Sequence, residues 1–173
     1  RSAFLSWMGI TLGGGLFGSL LYGFGNKYRY NLQKVPLYFP NLPAAFKGFK
    51  IVHISDIHSG SFTDKEAVKR GIEKINAQNA DVILFTGDLV NYSAAEMKDY
   101  VDIFSTLSAK HGVYATLGNH DYGFPAAETK EQLRQLHLEN AAAVKEVHKQ
   151  LGWKTLSNEH VVIENGADKI AVI

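Results

Sequence analysis

The sequence predicts an α/β domain with a largely parallel sheet, preceded by an apolar N-terminal segment. Three observations support this prediction. Short apolar runs alternate with stretches of helical periodicity between residues 50 and 117, and such alternation is typical of strand–helix–strand units in a parallel sheet. The 173 residues are enough for one domain with a buried core. The first 26 residues carry one charge, at Arg1, whereas charged and apolar residues are mixed throughout the rest of the chain.

Residues 2–26 carry no charge, which predicts a helix that spans a membrane. The segment is longer than the ~20 apolar residues that cross a hydrocarbon core as a helix. Trp7 and Tyr22 lie near its ends, where amphipathic rings favour the membrane interface. Its many glycines leave two alternatives open, namely a signal sequence that is later removed and a buried glycine-rich hairpin. Basic residues follow the segment, and they favour a cytoplasmic location for the rest of the chain. Basic residues before Arg1 would favour the opposite orientation, so the side of the membrane stays open.

The remaining elements follow from local patterns. The pattern over Val35–Phe39 predicts a short strand. We expect it at the edge of a sheet, because Pro36 has no amide hydrogen to donate to a neighbouring strand. Apolar runs predict further strands over residues 50–55, 81–86, 112–117, 153–156, 161–163 and 170–173. Apolar residues spaced three to four apart predict helices over residues 64–78, 94–109 and 126–151. Asp64 is placed to cap the first of these helices, and we expect the third to break near Asn140.

Composition excludes several classes of protein. The chain has 18 basic and 17 acidic side chains and a net charge of +1, so a strongly basic nucleic-acid-binding protein is not expected. It has no cysteine, which excludes disulfides, thiolate zinc sites and cysteine nucleophiles. The chemistry of this protein therefore depends on oxygen and imidazole groups.

Three polar clusters follow directly after the first three predicted strands of the body. They contain three aspartates, two histidines and an asparagine: Asp56, His58, Asp88, Asn119, His120 and Asp121. Functional groups in an open α/β sheet gather at the carboxyl ends of its strands, so we expect the clusters to meet in one crevice. Oxygen and imidazole ligands suit manganese, iron, zinc or magnesium better than copper(I) or iron–sulfur centres.

Local spacing supports a metal site at these clusters. Residues two apart on an extended segment lie on one face, so we expect Asp56 and His58 to reach the same cation. The Asp88 carboxylate has two oxygens and can bridge two cations. Gly87 lets the chain turn tightly before Asp88, and we expect Gly118 to do the same before the third cluster.

The series Asp56-x-His58, Gly87-Asp88 and Gly118-Asn119-His120-Asp121 closely resembles the motifs of the calcineurin-like metallophosphoesterases. The resemblance is strong over residues 49–122. Together with the apolar N-terminal segment, the sequence around Asp56 looks like that of the bacterial membrane-attached branch of the family. The resemblance implies a four-layer α/β/β/α fold. Residues 49–173 would then form the N-terminal part of the metallophosphoesterase domain, after a membrane-spanning or signal-anchor segment over residues 1–30 and a junction over residues 31–48.

The resemblance also implies a centre of two divalent metal ions, of manganese, iron or zinc. By motif match, Asp56 and His58 would bind the first metal, Asp88 would bridge both, and Asn119 would bind the second. A metal-activated hydroxide would hydrolyse a phosphoester, either a monoester or a diester.

Two catalytic roles come from the same resemblance. His120 would act on the substrate phosphate or the leaving oxygen, and Asp121 would orient His120 by fixing its tautomer. The family has two later histidine motifs, a Gly-His and a Gly-His-x-His, that complete the metal shells, and neither occurs in this sequence. We therefore expect a fragment that is inactive or very weak and a parent chain that is active.

A membrane segment over residues 2–26 favours a lipid or envelope-derived phosphoester as substrate, on proximity, and a location in the bacterial cell membrane; no nucleic-acid partner is expected. Two alternatives remain. One is a non-catalytic metal-binding or interaction scaffold of the same fold. The other is an unrelated hydrolase with one metal held by Asp56, His58 and Asp88.

Overall fold

The computed structural model describes residues 2–173, apart from the side chains at positions 24 and 25. The chain forms two compact units, of which one extends to Pro36 and the other comprises Leu37–Ile173. The first unit consists mainly of helix α1, Ser2–Asn26. The second contains two sheets and the remaining helices, and it carries all the polar clusters described above.

Helix α1 confirms the prediction of an apolar N-terminal helix. Over Ser2–Gly23 it is long and apolar enough to cross a membrane, and its side chains there are exposed; a signal sequence would meet the same two criteria. Its hydroxyl side chains bond to the preceding turn, since Ser6 Oγ donates to the Ser2 carbonyl at 3.0 Å and Thr11 Oγ1 donates to the Trp7 carbonyl at 2.9 Å. These bonds satisfy the hydroxyl groups within the helix, so the groups need no hydrogen-bond partner in an apolar surrounding.

The second unit is built on a parallel sheet of four strands in the order β1-β2-β3-β4. The strands are β1 (Ile51–Ile54), β2 (Val82–Phe85), β3 (Val113–Ala115) and β4 (Lys154–Thr155). The connections contain α2 (Lys65–Asn76), a 3₁₀ helix (Ala94–Asp99), α3 (Val101–Phe104) and α4 (Lys130–Gln150). Sequential strands are neighbours and run in the same direction, as the alternating pattern predicted.

The two faces of β2 pack against different layers. On one face, Val82 packs with Phe46 and with Ile163 of a second sheet. That sheet is an antiparallel pair of strands, β5 (Val161–Asn165) and β6 (Asp168–Val172). On the other face, the Phe85 ring lies 5.7 Å from His148 of α4. The described chain therefore has a helical layer, a parallel sheet and a second sheet, which is the predicted mixed α/β class.

Three predicted elements differ from the structure. Residues 35–39 are not in a strand; Pro36 lacks the amide that a ladder needs. The predicted helix over residues 94–109 is instead the 3₁₀ helix followed by the short α3, and these are separated at Tyr100, whose backbone is not helical. Helix α4 does not break at Asn140, because that side chain bonds outside the helix, donating to the Asp121 carbonyl at 2.9 Å.

Candidate metal centre

The loops that follow β1 and β2 stay in register beyond the ends of the strands. The Asp56 amide donates to the Gly87 carbonyl at 3.1 Å, and the His58 amide donates to the Asp88 carbonyl at 3.0 Å. The Ser59 amide continues the series with a bond to the next residue of the second loop. These bonds bring the first two polar clusters together at the carboxyl end of the sheet, where the sequence predicted them.

His58, Asp88 and His120 form the centre of the site. Each offers one ligand atom, and the three atoms lie within 4.8 Å of one another. The His58 Nε2 lies 3.9 Å from a carboxylate oxygen of Asp88 and 3.9 Å from one of Asp56. The His58 and His120 rings meet edge to face, with centroids 4.6 Å apart. One nitrogen or oxygen from each of three separate loops thus converges on one point.

The backbone is left-handed at three of the candidate ligands. The φ angles of Asp56, His58 and Asp88 are 53°, 48° and 62°, in a region that non-glycine residues adopt at a cost of roughly 1–3 kcal/mol each. The expectation of an extended Asp56–His58 segment is therefore wrong, although the two side chains do approach each other. The loop turns after β1 because its amides pair with the loop after β2, and this turn redirects His58 towards Asp88.

Gly87 and Gly118 allow two loops to touch through their backbones. A Cβ at Gly87 would lie 2.1 Å from the Gly118 nitrogen, and a Cβ at Gly118 would lie 2.2 Å from the Asp88 Oδ1. Gly87 also has a φ of 97°, as a tight turn requires. Gly118 is thus needed for this close approach, whereas the sequence had suggested a tight turn for both glycines.

Asp121 is completely buried and bonds to the backbone of two loops. Its carboxylate accepts hydrogen bonds from the amides of Gly118 at 2.9 Å, Asp88 at 2.9 Å, Leu89 at 2.8 Å and Val90 at 3.4 Å. Burial raises the pKa of the Asp121 carboxyl, and the four amides oppose that rise. The sequence assigned Asp121 to orienting His120, whereas its carboxylate accepts these four amides.

The contact that orients the His120 ring comes from Asn91. The His120 Nδ1 lies 2.9 Å from the Asn91 carbonyl oxygen, and a carbonyl only accepts, so Nδ1 carries the hydrogen. Nε2 is then the nitrogen left for the site. The His120 amide also donates to the Asp88 Oδ1 at 2.8 Å, which ties the third cluster to the second.

Glu96 is a residue of the site region that the sequence analysis missed. Its carboxylate accepts from the amide of Gly60 at 3.0 Å, in the loop that follows His58. It also accepts from the amides of Asn91 at 2.6 Å, Tyr92 at 2.8 Å and Ser93 at 3.1 Å. Glu96 therefore joins the loop after β1, which carries His58, to the loop after β2, whose Asn91 carbonyl contacts His120. The capping-box pattern Ser93-x-x-Glu96 is the local signal that could have identified it.

The other predicted residues lie at the edge of this centre. The Asp56 side chain is 65% exposed, with one oxygen towards His58 and the other bonded to the Ser55 hydroxyl. Asn119 directly precedes His120 and is exposed. His53 bonds through Nε2 to the Thr86 hydroxyl at 2.8 Å. The structure thus brings His58, Asp88 and His120 together, while Asp56 and Asn119 face solvent beside them.

The donor set fits a divalent cation. Imidazole nitrogen and carboxylate oxygen are ligands that manganese, iron and zinc all accept. His58, Asp88 and His120 are held before any cation binds, by backbone hydrogen bonds to the loops that carry them.

Comparison with known proteins agrees with this geometry. The sequence model of the family described as "Calcineurin-like phosphoesterase" matches residues 49–171. An uncharacterized metallophosphoesterase of Campylobacter jejuni is 30% identical over 104 residues, which cover 60% of this chain and 27% of the relative. UDP-2,3-diacylglucosamine pyrophosphatase LpxG of Chlamydia trachomatis is 36% identical over 107 residues, which cover 60% of this chain and 32% of the relative.

A relative from Danio rerio, named as a transmembrane protein with a metallophosphoesterase domain, is 30% identical over 81 residues, covering 47% of this chain and 18% of the relative. The matched segment is about a third or less of the length of each of these three relatives. The family match covers most of the chain and contains the whole candidate centre, which confirms the resemblance seen in the motifs. This chain belongs to the calcineurin-like phosphoesterase family.

Proposed function

We propose that the protein containing this chain hydrolyses a phosphoester, monoester or diester, with the help of two divalent cations. One observation carries the proposal: side-chain nitrogen and oxygen atoms of His58, Asp88 and His120 converge within 4.8 Å in a chain of a hydrolase family. The convergence occurs where three adjacent strand-end loops meet, which is the usual position of sites in parallel sheets.

Asp56 and His58 would hold the first cation, and Asp88 would share its two oxygens between both. Asn119 would hold the second cation through its amide oxygen. When bound, the two cations supply positive charge for the phosphate oxygens and acidify the attacking water. Manganese, iron and zinc all suit these ligands. The distances of 3.9 Å from the His58 Nε2 to both carboxylates support this assignment.

His120 would act on the leaving oxygen. The Asn91 carbonyl holds the Nδ1 hydrogen, so Nε2 is the atom that, once protonated, can donate to the departing alkoxide. Proton transfer of this kind contributes roughly 10²–10⁴ in rate. Asp121 would support this role at a distance, because it fixes the backbone of residues 88–90 next to Asn91.

The substrate and the location are part of the same proposal. Helix α1 would attach the protein to the bacterial cell membrane. A membrane-attached enzyme meets lipid and envelope phosphoesters at high local concentration. The relative LpxG is named for a diacylated substrate, and the relative from Danio rerio is named a transmembrane protein. The first name supports a lipid-derived phosphoester as substrate, and the second supports attachment to a membrane.

The test uses the full-length protein, purified in detergent and loaded with manganese. We expect it to bind two cations per chain and to hydrolyse bis(p-nitrophenyl) phosphate or p-nitrophenyl phosphate. His120→Asn should lower kcat by roughly 10²–10⁴, while the matched variant His160→Asn, at an exposed position outside the site, should leave kcat unchanged.

Other outcomes decide between the remaining functions. A protein that binds cations but hydrolyses neither ester would be a scaffold. A single cation per chain would indicate a mononuclear hydrolase. For residues 1–173 alone we expect turnover to be weak or absent, because Asp88 and Asn119 provide fewer ligands than a divalent cation requires. Rates equal to those of the full-length protein would contradict this last expectation.

A further inference from the structure

An open groove of about 440 Å³ lies beside the candidate centre. The loop at Tyr92 and the segment Gly123–Pro125 form one side. One face of helix α4 forms the other, with Leu136, Glu139, Asn140 and Ala143 at helical spacing. Gly123 forms part of the floor and has a φ of 74°. A Cβ there would lie 2.8 Å from the Tyr92 carbonyl oxygen and 3.2 Å from the Asn140 Nδ2 of the other wall, so glycine allows this close approach.

The groove begins one side chain away from the leaving-group histidine. The Phe124 ring contacts the His120 ring, with centroids 4.9 Å apart, and it also contacts the Tyr92 ring at 6.1 Å. Phe124 and Tyr92 are 57% and 65% exposed, although both are large aromatic residues. A substrate whose phosphate lies at His58 and His120 therefore has an aromatic surface directly beside its ester group.

The polar side chains of the groove are already bonded within the protein. Asn140 donates to the Asp121 carbonyl at 2.9 Å and accepts from the Ala94 amide at 3.4 Å. Glu139 accepts from the Gln135 amide group at 2.9 Å. The remaining lining consists of aromatic, aliphatic and proline side chains. Glu139 is the only charged member of the lining, and its negative charge disfavours a second phosphate in the groove.

We propose that this groove binds the apolar organic group of the substrate, an alkyl or acyl chain on the phosphoester. The inference rests on the proposed function, because it places the phosphate at the centre formed by His58, Asp88 and His120. The groove is continuous with that centre through Phe124, and its volume is within the range of small-molecule sites. The geometry thus assigns the protein to amphiphilic phosphoesters.

The test measures how chain length affects binding. Methyl-, butyl-, hexyl- and octylphosphonate place the same head group at the centre and add only methylenes. With the full-length, manganese-loaded protein, we expect the dissociation constant from calorimetry to fall roughly 2- to 4-fold for each methylene until the groove is filled. The inhibition constant against bis(p-nitrophenyl) phosphate should fall in parallel.

Two groove variants and one control complete the design. Leu136→Asn and Ala143→Asp should abolish most of the dependence on chain length, measured in each variant as the ratio of the methylphosphonate to the octylphosphonate dissociation constant. Leu138→Asn is the matched control, because Leu138 is an exposed leucine of α4 outside the groove, and it should keep the full dependence.

Each result separates the two proposals. The groove proposal is wrong if the protein hydrolyses the ester but its phosphonate affinity does not depend on chain length. It is also wrong if that dependence survives in both groove variants. In either case the proposed function stays intact. A failure to bind methylphosphonate and to hydrolyse either ester would overturn the proposed function and the groove together. If Leu136→Asn instead changes the oligomeric state or unfolds the protein while wild type shows no chain-length dependence, then another protein segment covers the groove, and the proposal is wrong.

Discussion

At the scale of single residues, Asp121 organises the candidate centre. Its buried carboxylate accepts four backbone amides from two loops, and those loops carry Asp88 and Asn119. An asparagine has the same shape but replaces one acceptor oxygen with an NH₂ group, which would face amide donors. Buried donors left without partners cost about 1–3 kcal/mol each.

Asp121→Asn is therefore expected to lower the free energy of unfolding by at least ~1–3 kcal/mol and to weaken manganese binding by tenfold or more. Urea unfolding and calorimetry in detergent measure the two effects. Asp102→Asn is the control, since Asp102 is exposed on α3. If Asp121→Asn has the same free energy of unfolding and the same manganese affinity as wild type, then the hydrogen bonds from the amides to the carboxylate do not stabilise the centre.

At the scale of elements, the 3₁₀ helix Ala94–Asp99 connects two functional loops through one residue. Glu96 caps its own helix and also accepts the Gly60 amide from the loop after His58. A Cβ at Gly60 would lie 2.5 Å from the Glu96 carboxylate, so this contact is close. The helix therefore determines how far apart the loop of His58 and the loop of Asp88 and Asn91 stand.

Glu96→Gln keeps the size of the side chain but removes the charge and one acceptor. We expect manganese to bind three- to tenfold more weakly. Charged hydrogen bonds of this kind contribute about 1.5–3 kcal/mol, and only part of that loss changes the positions of the metal-binding side chains. Calorimetric titration measures the affinity. Glu66→Gln, at an exposed position of α2, is the matched control, and an equal loss in both variants would contradict the expectation.

Helix α4 packs on the parallel sheet through a buried histidine. His148 lies against Phe85 and Trp153, and its Nδ1 bonds to the Thr155 hydroxyl at 2.9 Å. Burial lowers the pKa of His148 from 6.5 to about 4. Between these values the unfolded chain binds a proton that the folded chain does not, so the folded state gains stability as pH rises from 4 to 6.5.

The free energy of unfolding should therefore rise by roughly 3 kcal/mol across that range from His148 alone. The contribution is the difference between the pH profiles of wild type and His148→Gln, both measured by urea unfolding. His160→Gln, at an exposed position, should follow the wild-type profile. Parallel profiles for wild type and His148→Gln would show that the buried ring is not the source.

At the scale of the whole molecule, the prediction concerns helix α1 and the membrane. We expect the protein to remain in the membrane fraction after an alkaline carbonate wash. Leu12→Arg with Leu16→Arg should release it, because a charge at the centre of a span costs about 2.5–3.5 kcal/mol. Leu32→Arg, outside the helix, is the control. Release of wild type as a shortened chain would identify α1 as a signal sequence instead.

The sequence predicted the class of the fold and the chemistry of the site because both depend on local patterns. Strand and helix periodicity is local, and three of the strand-end loops carry recognisable ligand types. The exact helix limits were less predictable. The predicted helix over residues 94–109 is interrupted at Tyr100, whose ring packs against Phe62. Asn140 does not break α4, because its side chain bonds to Asp121 and Ala94. In both places contacts with distant residues outweigh helix propensity.

The sequence by itself therefore determined which oxygen and imidazole groups follow the strands, the parallel direction of the first strands and the family. Only the tertiary structure decided how those atoms are held. Asp121 bonds to amides about thirty residues away, Asn91 orients His120, and Glu96 links two loops. The groove beside Phe124 arises in the same way. Contacts across such separations depend on how the chain packs, and no local pattern of residues encodes them.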